Sequence, residues 1–127
     1  MKRRAMTLLV VVSAFLWTGS SDLASGRLAS GLRGTVERAP IRPVCTADEP
    51  CSAPAKNIQL TFARAGYRSA VTRTDAMGRY RVELAPGTWE VQTTAAPKIG
   101  AGITPKSARV HAGRFRVVDF TIDTGIR

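Results

Sequence analysis

Apolar and polar residues alternate in short runs along the chain, and the clearest example is the segment 74–91, TDAMGRYRVELAPGTWEV. Every second residue of 80–84 is apolar, and Trp89 and Val91 repeat the pattern a few residues later. A period of two is typical of a β-strand that buries one face and exposes the other. The segment therefore predicts two strands, with Tyr80 and Trp89 on the buried faces.

Turn-forming residues flank these two strands. Asp75 and Gly78 precede the first strand, and they predict an Asx-type turn with a residue at positive φ. Pro86 and Gly87 predict a tight turn between the strands. The segment is thus expected to form a turn followed by a central β-hairpin.

The same alternation predicts five more strands, at 32–36, 58–62, 67–71, 108–110 and 114–122. In the third strand of the chain, the face formed by Ala70, Thr72 and Thr74 fits burial nearly as well as the face of Tyr67, Ser69 and Val71. In the last strand the apolar face changes after Val117, which predicts a β-bulge or a strand shared between two sheets. No convincing amphipathic helix is present, so the chain is expected to form a seven-stranded antiparallel β-sandwich.

Two long connections interrupt this pattern, namely 40–56, which contains four prolines, and 95–106, which is rich in Gly and Pro. If successive strands run in opposite directions, both connections and the 75–78 turn emerge at one end of the sandwich. Loops that share an end often form binding surfaces. Four charged residues of these loops are candidate partner contacts, with ordinary surface connections as the alternative: Asp48, Glu49, Lys98 and Lys106.

The first thirty residues have the features of an export signal. A basic start, MKRR, is followed by the apolar run 8–17 and then by small polar residues, the pattern of a secretory signal peptide. We expect 1–20 to be the signal, with cleavage after Ser20 or at a site up to Ser30, 21–30 to be a flexible spacer, and 31–127 to be one domain. Removal of the three cations of the MKRR start lowers the net charge of +10 by three, to +7.

The chain contains two cysteines, Cys45 and Cys51, close together in the first long connection. In an exported chain such a pair favours a disulfide bond. A metal site is the alternative, but two cysteines and a single histidine are too few ligands for one.

Three short motifs resemble the carboxypeptidase regulatory-like domain of the transthyretin-like superfamily, to which collagen-adhesin B-type domains are related. They are G-x-V at 34–36, T-D-x-x-G-x-Y at 74–80 and P-G-T-W-x-V at 86–91. The resemblance covers about 31–123 and implies a Greek-key sandwich that acts as a non-catalytic module beside peptidases, outer-membrane proteins or adhesins. Its fold-motif residues are Thr74, Asp75, Gly78, Tyr80, Pro86, Gly87 and Trp89.

Residues suited to catalysis are few. His111 is the single histidine and is expected at an exposed strand end, while Glu83 and Glu90 are expected on the outer surface of the hairpin, beside arginines. Exposed ion pairs explain such carboxylates better than acid–base chemistry does. We therefore predict no catalytic, cofactor-binding or metal-binding residues, and no cofactor.

Two binding hypotheses remain beside a protein-interaction module. Arginines spread over several strands are suited to a polyanion, but the aromatic residues fall on buried faces, so nucleic acid is disfavoured. Trp89 with Tyr80 is a candidate carbohydrate platform, against which their apolar neighbours indicate a core position. The sequence thus predicts a secreted or envelope-located, non-enzymatic module that contacts an envelope or extracellular protein, with carbohydrate or polyanion binding as the alternative.

Overall fold

The computed structural model describes residues 28–127, so the predicted signal peptide lies outside the described residues. The described residues form β-strands and no helix, which confirms the all-β prediction. The strands are β1 (Gly31–Ala39), β2 (Ala53–Pro54), β3 (Gln59–Ala63), β4 (Ala70–Arg73), β5 (Arg79–Glu83), β6 (Gly87–Gln92), β7 (Ile103–Thr104), β8 (Ser107–Val110), β9 (Phe115–Val117) and β10 (Phe120–Asp123).

The strands form two sheets, consistent with a β-sandwich. The first sheet has six strands and is organised around β1, which pairs with β5 and β2 along one edge and with β9 and β10 along the other. β7 extends this sheet from β10. The second sheet has four strands in the order β4-β3-β6-β8, and all of its pairs are antiparallel.

The prediction of seven antiparallel strands is wrong in two respects. β2 and β7 lie inside the connections that were expected to have no regular structure, because a strand of two residues is too short to show a period. The predicted last strand divides into β9 and β10, and both pair with β1 in the parallel direction.

The expected central hairpin is also wrong, because β5 and β6 belong to different sheets. The Pro86-Gly87 turn carries the chain from one sheet to the other, and the Trp89 indole N–H donates to the Ala85 carbonyl at 2.9 Å across this crossing. Alternation on both sides of a turn suits a sheet crossing as well as a hairpin, so the pattern did not distinguish them. As a result Glu83 and Glu90 lie on different sheets and do not face each other.

In β4 the inward face is the one formed by Ala70, Thr72 and Thr74, whereas Val71 is 57% exposed. Buried Thr74 is hydrogen-bonded in both directions: its hydroxyl donates to the Ala55 carbonyl at 2.6 Å and accepts from the Ile58 N–H at 2.9 Å. The end of β4 is therefore held by a buried polar side chain, which the pattern of apolar residues does not reveal.

The core lies between the two sheets, as predicted. Tyr80 and Phe120 of the first sheet have ring centroids 5.5 Å apart, and they lie 6.2 and 6.3 Å from the ring of Phe62 in the second sheet. Aromatic pairs at these distances add to the burial of apolar area. The remaining large side chains of the core come from both sheets, and they are Leu32, Val36, Leu60, Val82, Leu84, Trp89, Val91, Ile103, Val110 and Ile122.

The break between β9 and β10 is bridged by one backbone hydrogen bond and by hydrogen bonds from two side chains. The Val118 N–H donates to the Arg33 carbonyl at 2.8 Å, and the Val118 carbonyl accepts a bond from the Tyr80 hydroxyl at 2.6 Å. Across the break, the Asp119 carboxylate accepts the Thr35 N–H at 2.9 Å. Burial, together with the charge of Asp119, raises the pKa of Tyr80, so its hydroxyl remains a donor.

This geometry makes Tyr80→Phe a test of the break. Loss of the hydroxyl leaves the partly buried Val118 carbonyl without its partner, and we expect the free energy of unfolding to fall by about 1–2 kcal/mol. Urea denaturation measures the change. The half-exposed Tyr67 supplies the control, since Tyr67→Phe is expected to leave stability unchanged; equal effects of the two substitutions would contradict the role given to the Tyr80 hydroxyl.

Candidate functional site

An open groove lies at the end of the sandwich where β1 and β10 finish. Its volume is about 490 Å³, and we call it the rim groove. Its walls come from the end of β1, the disulfide loop, the late loop 95–106 and the C-terminal residues, and are formed by Ala39, Pro40, Cys45, Cys51, Ser52, Ala101, Thr104, Thr121, Asp123 and Arg127. The two long connections that were expected to share an end therefore meet at this groove.

The disulfide loop forms one wall. Cys45 and Cys51 are bonded to each other, with their Cα atoms 5.5 Å apart, as predicted. The Ile41 N–H donates to the Cys51 carbonyl at 3.0 Å, which ties the loop to the segment that leaves β1. The cross-link thereby fixes a wall that has little regular structure of its own.

Asp123, at the end of β10, fixes the opposite wall. Its carboxylate accepts the N–H groups of Ala101 and Gly125, both at 2.9 Å, and it pairs with Arg127 through two guanidinium nitrogens at 3.0 and 3.2 Å. One side chain thus joins the late loop, β10 and the C-terminal residues. Gly100 is required beside it, because a Cβ at Gly100 would lie 2.7 Å from the carboxylate.

These contacts also define the chemistry of Asp123. The Arg127 guanidinium, assisted by the N–H groups of Ala101 and Gly125, lowers the pKa of Asp123 well below its ordinary value of 3.8. A carboxylate held in its ionised form by several donors is a weak proton acceptor at neutral pH. Asp123 is therefore suited to holding the groove in shape and to presenting charge, and poorly suited to acid–base catalysis.

Asp123 is not among the residues predicted from the sequence, although a signal is present. The motif D-T-G at 123–125 places an Asp two residues before a glycine at positive φ, as in an Asx turn. Asp123 follows directly on the predicted strand 114–122, where the apolar pattern draws attention to the strand and not to the turn after it. Apart from Arg127 and the two cysteines, which the sequence predicted as a disulfide, the other groove residues are uncharged and carry no such signal.

The four predicted rim residues occupy different positions. Asp48 and Glu49 are exposed on the disulfide loop, and Glu49 forms an ion pair with Arg42. Lys106 lines a second concavity of about 660 Å³ on the other side of the late loop, together with Glu90 and Ile103. Lys98 is exposed on the late loop. The structure does not bring the four together, and their contact with a partner stays a prediction.

The fold-motif residues Thr74 to Gly78 build the third connection. The Asp75 carboxylate accepts the N–H groups of Met77 and Arg79, each at 2.9 Å, so the expected Asx turn is formed. These bonds, first that from Arg79, lower the pKa of Asp75. Gly78 has φ of 76° and approaches Val36 and Pro54. The turn therefore packs beside β2 and does not line the rim groove.

The carbohydrate platform proposed for Trp89 and Tyr80 is wrong. Their side chains are only 3% and 4% exposed, since both point into the core. The half-exposed aromatic residue of this region is Tyr67, whose ring meets the edge of Trp89 at 5.6 Å and lies under the Arg64 guanidinium at 4.4 Å. A sugar therefore has no open aromatic face to stack on at Trp89 or Tyr80.

His111 lies partly buried in the turn after β8. Partial burial, and then the positive charges of Arg114, Arg116 and Arg109, lower the pKa of its imidazole. Among residues 28–127, no group of three or more His, Cys, Asp or Glu side chains is placed to hold a metal ion. Within the same range, no helix is long and apolar enough to cross a membrane.

Comparisons with protein-family models, with curated proteins and with solved structures give no match to this chain.

The bonds to Asp123 predict a pH-dependent groove wall. Because the folded-state pKa is lowered, the stabilisation of the late loop by Asp123 is fully present above pH 3.8, the ordinary carboxyl pKa, and is lost as the pH falls further. Asp123→Asn, which removes the charge at every pH, is expected to speed hydrogen exchange of the Ala101 N–H at neutral pH. Asp48→Asn, on the exposed part of the disulfide loop, is the matched control; equal exchange at Ala101 in both variants would contradict the role of Asp123.

The disulfide bond in the opposite wall is predicted to stabilise the whole fold. The Cys45→Ser/Cys51→Ser variant is expected to lose about 2 kcal/mol of unfolding free energy, because the unfolded chain is no longer restricted by the ring. Denaturation with and without a thiol reductant measures it. The wild type should respond to the reductant and the variant should not; an unchanged wild type would show that the bond does not stabilise the fold.

Proposed function

We propose that the protein is an exported, non-catalytic β-sandwich module of the carboxypeptidase regulatory-like type, which binds an envelope or extracellular protein through the rim groove. The observation that carries this proposal is the groove itself. Two loops of different origin converge on it, and each is fixed by a dedicated bond, the disulfide on one side and Asp123 on the other. Loops fixed by a rigid sandwich are common binding surfaces.

The family assignment is supported by what its motif residues do in the fold. Thr74 anchors the segment after β2, Asp75 and Gly78 form the turn, and Tyr80 closes the break between β9 and β10. Pro86 and Gly87 take the chain across to the second sheet, where Trp89 enters the core. Each motif residue thus has a structural role, which is what a motif of fold rather than of catalysis requires.

Export is supported by the disulfide and by the apolar start of the chain. Disulfides persist in oxidising compartments and are rare where thiols are kept reduced. The bonded Cys45–Cys51 pair is consistent with the secretory pattern of residues 1–20. Both observations indicate a secreted, periplasmic or envelope location.

Binding rather than turnover is supported by the state of the charged groups at the groove. Asp123 and Arg127 satisfy each other, and the carboxylate stays ionised well below neutral pH. Uncharged side chains supply most of the remaining wall, including Ala39, Pro40 and Ala101. Such a surface suits a protein segment with apolar and hydrogen-bonding groups.

Site-specific photocrosslinking tests the proposal. A photoreactive residue is placed at Thr104 in the groove wall or, as a control, at Gln59 on the exposed face of β3 in the second sheet. In cells that produce the protein natively, we expect Thr104 to capture one extracytoplasmic protein that Gln59 does not capture. The purified partner should then bind the wild type more tightly than the Cys45→Ser/Cys51→Ser variant.

Two results would contradict the groove as the binding surface. Equal capture from Thr104 and Gln59 would show contact without a defined site. Equal affinity of the purified partner for the wild type and the double-serine variant would show that the disulfide wall takes no part in binding.

A further inference from the structure

A second exposed surface lies at the turn between β8 and β9. It contains Arg109, His111, Arg114 and Arg116, and we call it the basic hairpin for its tight turn, although β8 and β9 belong to different sheets and do not pair with each other. The chain has no acidic residue between Glu90 and Asp119, so no carboxylate of this stretch offsets these charges. The three arginines are exposed. The surface is therefore a local concentration of positive charge on a chain that is basic as a whole.

The residues of the basic hairpin lie close to one another. The Arg116 guanidinium donates to the Arg109 carbonyl at 3.2 Å, which draws β9 toward the outer edge of β8. His111 lies near enough to all three arginines for their charges to act on its imidazole. None of the ion pairs found among residues 28–127 includes these arginines, whereas Arg42, Arg79 and Arg127 each pair with a carboxylate.

An apolar side chain accompanies this charge. Leu28 is 74% exposed, and its side chain lies 3.8 Å from the position of a Cβ at Gly113, in the turn itself. An exposed aliphatic group next to a basic cluster is suited to the interface of an anionic bilayer. The aliphatic group contributes burial of apolar area, and the basic groups contribute attraction to the anionic lipids.

Other polyanions fit this surface less well. Single-stranded nucleic acids need aromatic faces for stacking. Phe115 is the aromatic residue of this hairpin, and the Arg81 guanidinium already covers its ring at 3.8 Å. Tyr80 and Trp89 are buried. The hairpin thus offers charge and aliphatic contact but no free ring.

The position of the hairpin agrees with a bilayer. Leu28 beside Gly113 is where the preceding chain joins the domain, and the apolar run 8–17 lies ten residues upstream of it. Ten residues span at most about 35 Å. Until the signal peptide is cleaved, export therefore holds the hairpin within this distance of the membrane through which the chain passes.

We propose that the basic hairpin, together with Leu28, docks the protein on the surface of a bilayer that contains anionic phospholipids. The partner is the lipid headgroup layer, which Arg109, Arg114 and Arg116 contact through phosphate oxygens while Leu28 enters the interface. This surface is separate from the rim groove, and the proposal stands whether or not the groove binds a protein.

Vesicle co-sedimentation of the exported form, residues 21–127, tests the proposal, with vesicles of phosphatidylcholine alone or mixed with phosphatidylglycerol. We expect binding to the mixed vesicles that weakens with salt, and about 30-fold weaker binding by Arg114→Gln/Arg116→Gln. Lys56→Gln/Arg68→Gln removes the same charge from exposed positions elsewhere, and its binding should change by less than about twofold. If the double variant fails to fold, Arg114→Gln alone should weaken binding about fivefold.

Hydrogen exchange with and without vesicles shows which part of the exported form contacts the bilayer. The hairpin amides 111–116 should become protected on the mixed vesicles. Equal binding by the two double variants, equal binding to neutral vesicles, or unprotected hairpin amides would each overturn the proposal. The wild type could instead bind heparin or duplex DNA but no vesicles, with that binding lost in Arg114→Gln/Arg116→Gln. This result would show that the ligand of the hairpin is a soluble polyanion and not a bilayer.

Discussion

The fold depends on how β1 keeps its pairing where β9 ends and β10 begins. The strand partner changes at Val118. The backbone groups left without a strand partner there are hydrogen-bonded by the Tyr80 hydroxyl and the Asp119 carboxylate. Gly34 is required at the same point, because a Cβ would collide with the Val118 carbonyl. Since an unpaired buried polar group costs as much as a lost hydrogen bond, these side chains allow one long strand to hold both halves of its neighbour.

The same solution recurs at three other points where regular pairing stops. Thr74 satisfies the backbone after β2, Asp75 closes the turn before β5, and Asp123 holds the late loop against β10. In each case a short polar side chain replaces a strand partner and determines the path of a connection. A domain with this many connections can keep a defined end surface because its loops are tied to the sheets by such bonds.

The sequence predicted the buried faces well because alternation reports burial directly. Tyr80 and Trp89 lie in the core as expected, and so do Phe62 and Phe120. What it could not predict is which strands are neighbours, since alternation is identical in a hairpin and in a crossing between sheets. The parallel pairing of β9 and β10 with β1, and the sheet change at Gly87, depend on contacts between residues far apart in sequence. The candidate site was predicted only in outline: the two loops meet as expected, but Asp123, which fixes the late loop against β10, was not among the predicted residues.

The two proposed surfaces lie at opposite ends of one strand. β9 pairs with the start of β1 at Gly31, while the rim groove begins where β1 ends at Ala39. A strand of this length separates the two ends by about 26 Å. A sandwich seated on a bilayer by the basic hairpin would therefore hold the rim groove away from the membrane, turned toward whatever lies beyond it. Because β1 also supplies the core residues Leu32 and Val36, the spacing between the surfaces is as rigid as the core itself.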